Sequence, residues 1–80
     1  GKLMGYISDV TNAAVLNGVT VILETDTFTT SIDGYYEFND VIIGQGYLFK
    51  AELPGYLNYQ GWVDILAGEN TRDTQLTPEG

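Results

Sequence analysis

Aromatic rings with polar neighbours are the side chains of this sequence best suited to bind a ligand. The alternating stretch from Tyr56 to Leu66 places one set of side chains on a single strand face: Tyr56, Asn58, Gln60, Trp62 and Asp64. Flat rings can stack against sugars, and amides and carboxylates can bind sugar hydroxyls. Tyr35, directly after a turn signal, is a further exposed ring. The sequence therefore predicts a binding face formed by Tyr35, Tyr56, Asn58, Trp62 and Asp64.

A simpler interpretation of Trp62 competes with this binding face. Single exposed aromatic residues are common on small domains, where they cover a hydrophobic edge or pack on an adjoining domain. We favour this structural interpretation over a sugar-binding platform.

Carboxylates are the remaining candidates for acid–base chemistry, because the sequence has no histidine and no cysteine. Asp33 lies close in sequence to Glu37 and Asp40. Asp33 and Asp40 are, however, typical turn and loop residues, and a small filled domain has little room for a catalytic cleft. We therefore predict a chain that is not an enzyme and that needs no cofactor.

Acidic residues also recur at loop-like positions, where calcium would find oxygen ligands. They are Asp9, Asp26, Asp33, Asp40 and Asp73. No calcium-loop pattern is present, and acidic loops on an acidic chain are usually solvated, so we predict no metal site.

Lys2 and Asn70 are the plausible partners for an intramolecular isopeptide bond, which is not expected because Lys2 lies at the extreme terminus.

The charge balance excludes two classes of partner. Eleven acidic residues against three basic ones give a formal net charge of -8. Such a surface repels nucleic-acid phosphates and anionic membranes. No stretch approaches the roughly 18 consecutive apolar residues of a membrane span, and from the strand-like start of the sequence we expect no signal peptide in it. We expect one module of a longer chain, without nucleic-acid binding or membrane insertion.

Short alternating stretches between turn signals predict six or seven β-strands and no amphipathic helix. In the first strand Leu3, Gly5 and Ile7 alternate with Met4, Tyr6 and Ser8, and Gly5 indicates close approach of another backbone or a bulge. Further strands are predicted at residues 19–24, 47–53, 56–66 and 71–76. Residues 9–17 are a predicted loop, and Pro54-Gly55 fits a type II turn. The pattern predicts an all-β fold, a small antiparallel Greek-key β-sandwich, and excludes crossover helices.

The stretch from Phe28 to Phe49 organises the predicted core. A two-residue turn at Asp33-Gly34 would leave Phe28 on the face opposite Phe38, whereas a three-residue loop pairs these two rings. We predict the second register, because it gathers the large apolar groups on one side and places Gly34 where positive φ is needed. Residues 25–27 are then a short connection. The predicted aromatic core residues are Tyr36, Phe38, Tyr47 and Phe49.

These motifs resemble the carboxypeptidase regulatory-like domain, a transthyretin-like sandwich of the prealbumin type. The resemblance extends from about Leu3 to Leu76, and its strongest part is Thr30-Ser-Ile-Asp-Gly-Tyr-Tyr-Glu-Phe38, followed by Gly-Tyr pairs in two later places. One departure is Gly44-Gln-Gly46 before Tyr47, which we interpret as a loop longer by one residue. The part from Gly46 to Leu57 also resembles the X modules beside dockerins in cellulosomal proteins.

The resemblance implies a non-catalytic accessory role, because members of this family are appended to peptidases, glycoside-degrading enzymes, adhesins and receptors. It implies a module of an extracellular or cell-surface multidomain protein that spaces, docks or stabilises a neighbouring domain of the same chain. Polysaccharide or another extracellular protein is a further possible partner, and a carbohydrate-binding module that uses the exposed rings is the alternative function. Residues 1–77 are assigned to one sandwich module and residues 78–80 to the start of a linker.

Overall fold

The computed structural model describes the whole chain, Gly1–Gly80, and folds it into two stacked β-sheets. Its strands are β1 (Lys2–Asp9), β2 (Thr20–Leu23), β3 (Asp26–Thr29), β4 (Tyr35–Phe38), β5 (Gly44–Glu52), β6 (Tyr59–Ile65), β7 (Glu69–Thr71) and β8 (Thr74–Leu76). In the first sheet β1 lies between β4 and the pair β7 and β8, and the second sheet has the order β3-β2-β5-β6. The predicted all-β sandwich is confirmed. No helix has the length and hydropathy needed to cross a membrane.

Alternating side chains of both sheets meet in one hydrophobic core. Leu3 and Ile7 of β1 are fully buried. Each buried side chain of this size stabilises the fold by about 1.5–3 kcal/mol. The buried hydrophobic residues are Leu3, Ile7, Val19, Val21, Leu23, Tyr36, Phe38, Phe49, Ala51, Val63, Ile65 and Leu76. Three of the four predicted aromatic core residues are therefore confirmed, and the fourth, Tyr47, packs partly buried against the cluster.

The segment between Phe28 and Phe38 does not form the predicted hairpin. Phe28 pairs with Val21 of β2, whereas Phe38 pairs with Leu3 of β1, so β3 and β4 lie in different sheets. The two rings meet across the sandwich, edge to face, with 6.3 Å between centroids. Gly34 has the predicted positive φ, 70°, but its turn carries the chain from one sheet to the other. The predicted register was wrong because burial does not distinguish a hairpin from a connection between the two sheets. Both arrangements bury the same alternating residues.

The hairpin that does form joins β2 to β3. Leu23 and Asp26 are its last paired residues, and Glu24 and Thr25 make the turn, with Glu24 at a φ of 53°. The predicted connection over residues 25–27 was wrong, since Asp26 and Thr27 belong to β3. A Glu-Thr turn carries none of the Asn-Gly or Asp-Gly signal by which short hairpins are recognised in sequence.

The predicted last strand is split into β7 and β8 at Arg72 and Asp73. Both short strands pair with β1 in parallel, which departs from the predicted antiparallel arrangement. No crossover helix is needed, because the chain passes through the second sheet before it returns beside β1. Of the two interpretations of Gly5, a close backbone approach or a bulge, the structure shows the first, because a Cβ atom there would lie 2.2 Å from the carbonyl oxygen of Arg72.

Arg72, which lies between the end of β7 and the start of β8, connects the two sheets through hydrogen bonds. Its carbonyl oxygen accepts a hydrogen bond from the buried Tyr36 hydroxyl of β4. Its guanidinium Nη2 donates to the Tyr59 hydroxyl of β6 at 3.2 Å. Gly61 leaves room for this contact, because a Cβ atom there would lie 3.0 Å from the Tyr59 hydroxyl and 3.5 Å from Nη2. The guanidinium is therefore held between the sheets.

The predicted type II turn at Pro54-Gly55 is confirmed. Gly55 has a φ of 90°, and the Tyr56 amide donates to the Leu53 carbonyl at 3.0 Å.

The end of the chain lies against this turn. The Glu79 amide donates to the Gly55 carbonyl at 3.0 Å, and Pro78 forms an isolated bridge with Tyr56. Residues 78 and 79, predicted as the start of a linker, therefore contact the sandwich, while the division at residue 77 stays a prediction. Because β7 and β8 run parallel to β1, the chain enters the first sheet at its Lys2 end and leaves at its Asp9 end.

Candidate binding faces

The outer face of the second sheet carries the most exposed aromatic side chain. Trp62 lies in the middle of β6 and is 63% exposed. Val63 and Ile65 are buried, so the alternation turns Trp62 and Asp64 to the same outer side, as predicted. The Asp64 carboxylate accepts a hydrogen bond from the Gly46 amide at 3.0 Å, which fixes its position beside the ring.

Apolar side chains extend this surface across the sheet. Leu48 of β5 pairs directly with Trp62, and Ile22 of β2 pairs with Lys50, the next outward residue of β5. Ile22 and Leu48 are half-buried. We call this surface the Trp62 face, formed by Ile22, Leu48, Lys50, Trp62 and Asp64. It is a flat apolar strip with one cation and one carboxylate.

Tyr56 does not belong to the Trp62 face. Its side chain is partly buried against the core, and its hydroxyl donates to Asp9 Oδ2 at 2.7 Å. The prediction that Tyr56 points outward with Trp62 was wrong, because β6 begins only at Tyr59 and its alternation does not reach back to residue 56. Asn58 is exposed immediately before β6.

Tyr35 lies on the opposite side of the sandwich. It occupies β4 of the first sheet, next to the buried Tyr36, and faces outward. Its pairing partner in β1 is Tyr6, and the two rings are 5.3 Å apart between centroids with an interplanar angle of 59°. The Tyr35 hydroxyl contacts the Met4 sulfur at 3.6 Å. The five predicted binding residues are therefore not brought together into one site.

A shallow depression of about 300 Å³ opens beside these two rings. We call it the tyrosine depression; its lining residues are Met4, Gly5, Tyr6, Tyr35, Thr71 and Asp73. Asp73 Oδ1 accepts a hydrogen bond from the Tyr6 amide at 2.9 Å, which fixes the carboxylate at the rim. Sequence reasoning missed this site because Tyr6 and Asp73 are separated by 67 positions and meet only through the break between β7 and β8.

A second depression, of about 260 Å³, lies at the turn between β2 and β3. Its acidic lining residues are Glu24, Asp26 and Asp40, with Tyr47 among the others. The acidic residues considered as calcium ligands are dispersed, and no group of three or more is arranged to hold a metal ion.

The structure resembles solved proteins of the same architecture, although no protein-family model and no curated protein matches the sequence. A C-terminal interface mutant of a type II cohesin–X–dockerin complex from Acetivibrio cellulolyticus matches with 26% identity and a TM-score of 0.76 over 94% of this chain and 56% of the other. An N-terminal interface mutant of that complex gives 24% identity and a TM-score of 0.74, over 96% and 57% of the two chains. The chain thus spans just over half the length of these relatives.

A third structure matches over nearly the whole of both chains. The 5-hydroxyisourate hydrolase of Klebsiella pneumoniae is 21% identical with a TM-score of 0.72, over 100% of this chain and 93% of the hydrolase. The fold is a transthyretin-like β-sandwich. The resemblance to transthyretin-like and cellulosomal modules that the motifs indicated is confirmed. At this identity the hydrolase shows the fold alone.

Two of the carboxylates considered for acid–base chemistry, Asp33 and Glu37, are bound by neighbouring groups and not paired with each other. Asp33 Oδ1 accepts hydrogen bonds from the Ser31 hydroxyl at 3.0 Å and the Tyr35 amide at 3.2 Å, as a turn residue does. Glu37 Oε2 accepts from Asn39 at 3.0 Å and lies 3.4 Å from Lys2 Nζ, and these contacts lower the pKa of Glu37. The same pairing raises the pKa of Lys2.

The two residues considered for an isopeptide bond are directed to other partners. The Asn70 amide nitrogen donates to the carbonyls of Lys2 and Leu66, each at 3.0 Å. The Lys2 ammonium instead faces Glu37 on the outer surface of the first sheet. These contacts fasten β7 to the start of β1.

Asp9 is the one acidic residue buried by the fold, with 6% exposure. Thr11 donates to its Oδ1 through both hydroxyl and amide, the amide at 2.7 Å, and Tyr56 donates to Oδ2. These donors stabilise the ionised carboxylate, so they lower the pKa of Asp9, with Thr11 the largest cause. In return, the carboxylate raises the pKa of the Tyr56 hydroxyl. Asp9 therefore has a structural role at this end of the sandwich.

Proposed function

We propose that this chain is a non-catalytic accessory module of an extracellular multidomain protein, which spaces a neighbouring domain and docks it on the Trp62 face. The observation that carries the proposal is the 63% exposure of Trp62 in the middle of a flat sheet face, with Leu48 beside it. Exposed contiguous apolar surface on a small domain is typical of an interaction site. Tryptophan in particular is enriched at the energetic centres of interfaces.

The filled interior of the sandwich supports binding at its outer faces. Phe49 and Tyr36 are fully buried and their ring centroids lie 5.6 Å apart, so the space between the sheets is filled by rings. The chain has no histidine or cysteine, and the carboxylates of Asp33 and Glu37 are engaged in a turn and with neighbouring donors. A ligand or partner therefore has the outer faces available to it.

The structural comparison adds support from known assemblies. Two relatives are chains of a cohesin–X–dockerin complex, which is a protein–protein assembly, and this chain matches just over half of each. A protein-interaction module in an extracellular assembly is the corresponding role here. The hydrolase shares the fold at 21% identity, which carries no inference about activity.

Hydroxyl-radical footprinting of side chains tests the docking proposal. The oxidation rate of Trp62 is measured in the 80-residue chain and in the natural protein that contains it. We expect Trp62 to be oxidised several-fold more slowly in the natural protein, because the docked neighbour excludes solvent. Ile32, 82% exposed in the connection between β3 and β4 and part of neither candidate surface, serves as the internal control. Equal Trp62 oxidation in both proteins would contradict the proposal.

A carbohydrate-binding module is the second candidate, and one observation favours it. Gln60 and Asp64 flank Trp62 along β6 on its outward side, so a ring lies between an amide and a carboxylate. Trp62 is the sole tryptophan, so a polysaccharide that stacks on it must change the intrinsic tryptophan fluorescence. Saturable changes with soluble polysaccharides that disappear in Gln60→Ala would support this function over domain docking. No change across a broad panel would remove it.

A further inference from the structure

We infer that the tyrosine depression receives a basic side chain, preferably arginine, from a partner protein. The inference rests on the proposed docking role and gives the chemistry of a second contact, on the sheet opposite Trp62. Its occupant is identified by charge and by the shape of the site, as the following features show.

Two rings form the apolar wall of the depression. Tyr6 and Tyr35 are paired residues of β1 and β4, and both face outward. Their ring centroids are 5.3 Å apart at an angle of 59°, and Tyr6 is 49% exposed. Tilted, accessible aromatic faces attract a cation, and arginine is the more frequent partner in proteins.

A fixed carboxylate stands opposite this wall. Asp73 Oδ1 is held by the Tyr6 amide at 2.9 Å, so the side chain is already positioned without a ligand. A carboxylate accepts several hydrogen bonds, which leaves Oδ2 able to accept from a guanidinium or ammonium group. Thr71, on the same rim, adds a hydroxyl. The volume of about 300 Å³ lies at the lower limit of small-ligand pockets.

The protein supplies no cation of its own to this site. Lys2 is paired with Glu37 at 3.4 Å, Arg72 is directed between the sheets to Tyr59, and Lys50 lies on the Trp62 face. All three basic side chains are therefore occupied elsewhere. The net charge of -8 is left for basic groups of a partner to complement. Opposite potentials across an interface accelerate encounter and fix its register.

Titration with short peptides followed by ¹H–¹⁵N NMR tests the inference. The probes are the blocked peptides acetyl-Gly-Arg-Gly-amide and acetyl-Gly-Gln-Gly-amide. We expect the arginine peptide to cause saturable shifts confined to the amides of Gly5, Tyr6, Thr71 and Asp73. The glutamine peptide should cause none. Equal shifts with both peptides would overturn the inference.

Two aspartates of matched geometry provide the variants. Asp73→Asn keeps an oxygen acceptor for the Tyr6 amide and removes the charge, so the fold is retained and the arginine peptide should bind at least about fivefold more weakly. Asp64→Asn removes an equivalent charge, also bound to one backbone amide, from the opposite sheet, and should leave binding unchanged. Equal weakening by both variants, or shifts spread over the whole acidic surface, would show non-specific attraction and refute the site.

A variant of the Tyr6 ring tests the site without changing its charge. Tyr6→Leu should abolish the localised shifts while leaving the rest of the spectrum in place, since the Tyr6 side chain is half exposed. Unchanged binding in Tyr6→Leu would contradict the role of the rings. Failure of the peptide test leaves the footprinting result at Trp62 untouched, because the two surfaces lie on different sheets.

Discussion

At the scale of single residues, two buried polar side chains hold the loops to the sheets. Thr30 is 2% exposed, and its hydroxyl accepts from the Val19 amide at 2.9 Å and donates to the Leu16 carbonyl at 2.8 Å. Thr30 thereby provides a partner for the buried Val19 amide, which would otherwise have none. Asp9 holds the turn at Thr11 and the hydroxyl of Tyr56, which is 47 positions away in the sequence.

Thr30→Val tests the first of these contacts. The substitution keeps the shape of the side chain but leaves the Val19 amide and the Leu16 carbonyl without a partner. We expect the free energy of unfolding to fall by about 1–3 kcal/mol in urea titrations followed by circular dichroism. Thr29→Val, at an exposed position of β3, is the matched control and should change little. Equal effects of the two substitutions would contradict the bridging role.

Tyr56→Phe tests the pH dependence that Asp9 gives to stability. Because the folded-state pKa of Asp9 lies below its ordinary value of 3.8, its contribution is present above about pH 4 and is lost as pH falls through the lowered folded-state pKa. Tyr56→Phe removes one cause of that shift, so it should destabilise the protein more at pH 6 than at pH 2 in urea titrations.

Tyr47→Phe is the control for this pH dependence. The Tyr47 hydroxyl donates to the Ile42 carbonyl at 2.6 Å, and a carbonyl does not titrate. Its loss should therefore cost the same at both pH values. A Tyr56→Phe effect equally independent of pH would show that the Asp9 carboxylate is not the partner that matters.

At the scale of the elements, the backbone of Arg72, between β7 and β8, passes close to Gly5 of β1. This contact sets how the two short strands lie beside β1. Gly5→Ala places a methyl group 2.2 Å from a backbone oxygen, which a side-chain rotation cannot relieve. We expect a loss of about 1–3 kcal/mol or more in the free energy of unfolding, measured by urea titration. Gly44→Ala in β5 is the control, since its nearest neighbour would be 3.4 Å away. A neutral Gly5→Ala would contradict the close approach.

The elements also show which parts of the fold were predictable from the sequence. Alternation placed Tyr36, Phe49 and Ala51 in the core correctly, because period-two burial is a local property of a strand. The choice of partner strand, by contrast, is not a local property of the sequence. Phe28 and Phe38 are buried equally by a hairpin and by a sheet crossing, and only the partner strands distinguish the two.

The candidate site was predictable to the same extent. Trp62 and Asp64 were placed together correctly because they lie on one strand. Tyr35 was separated from them because its strand belongs to the other sheet, and Tyr56 because it lies before β6 begins. The tyrosine depression depends on β1, β4 and the break at residue 73 together, and no short motif encodes that combination.

At the scale of the whole molecule, charge repulsion opposes folding. A net charge of -8 is concentrated on a chain with a Cα radius of gyration of 12.1 Å, and salt screens it over a Debye length of about 10 Å at 0.1 M. Raising NaCl from low to moderate concentration should therefore raise the melting temperature by several degrees. The double variant Asp26→Asn, Glu69→Gln, at exposed positions, should show a smaller rise. A rise that is identical in the double variant would contradict the electrostatic cause.

The comparison of Trp62→Ala in two contexts tests the docking role most directly. In the 80-residue chain the side chain is 63% exposed, and its removal should change the free energy of unfolding by no more than about 0.5 kcal/mol. In the longer protein that we propose contains this module, the same substitution should destabilise the docked arrangement by about 2 kcal/mol, as at the centre of an interface. Equal effects in the two contexts would show that Trp62 faces solvent in both, and the Trp62 face would then not be a docking surface.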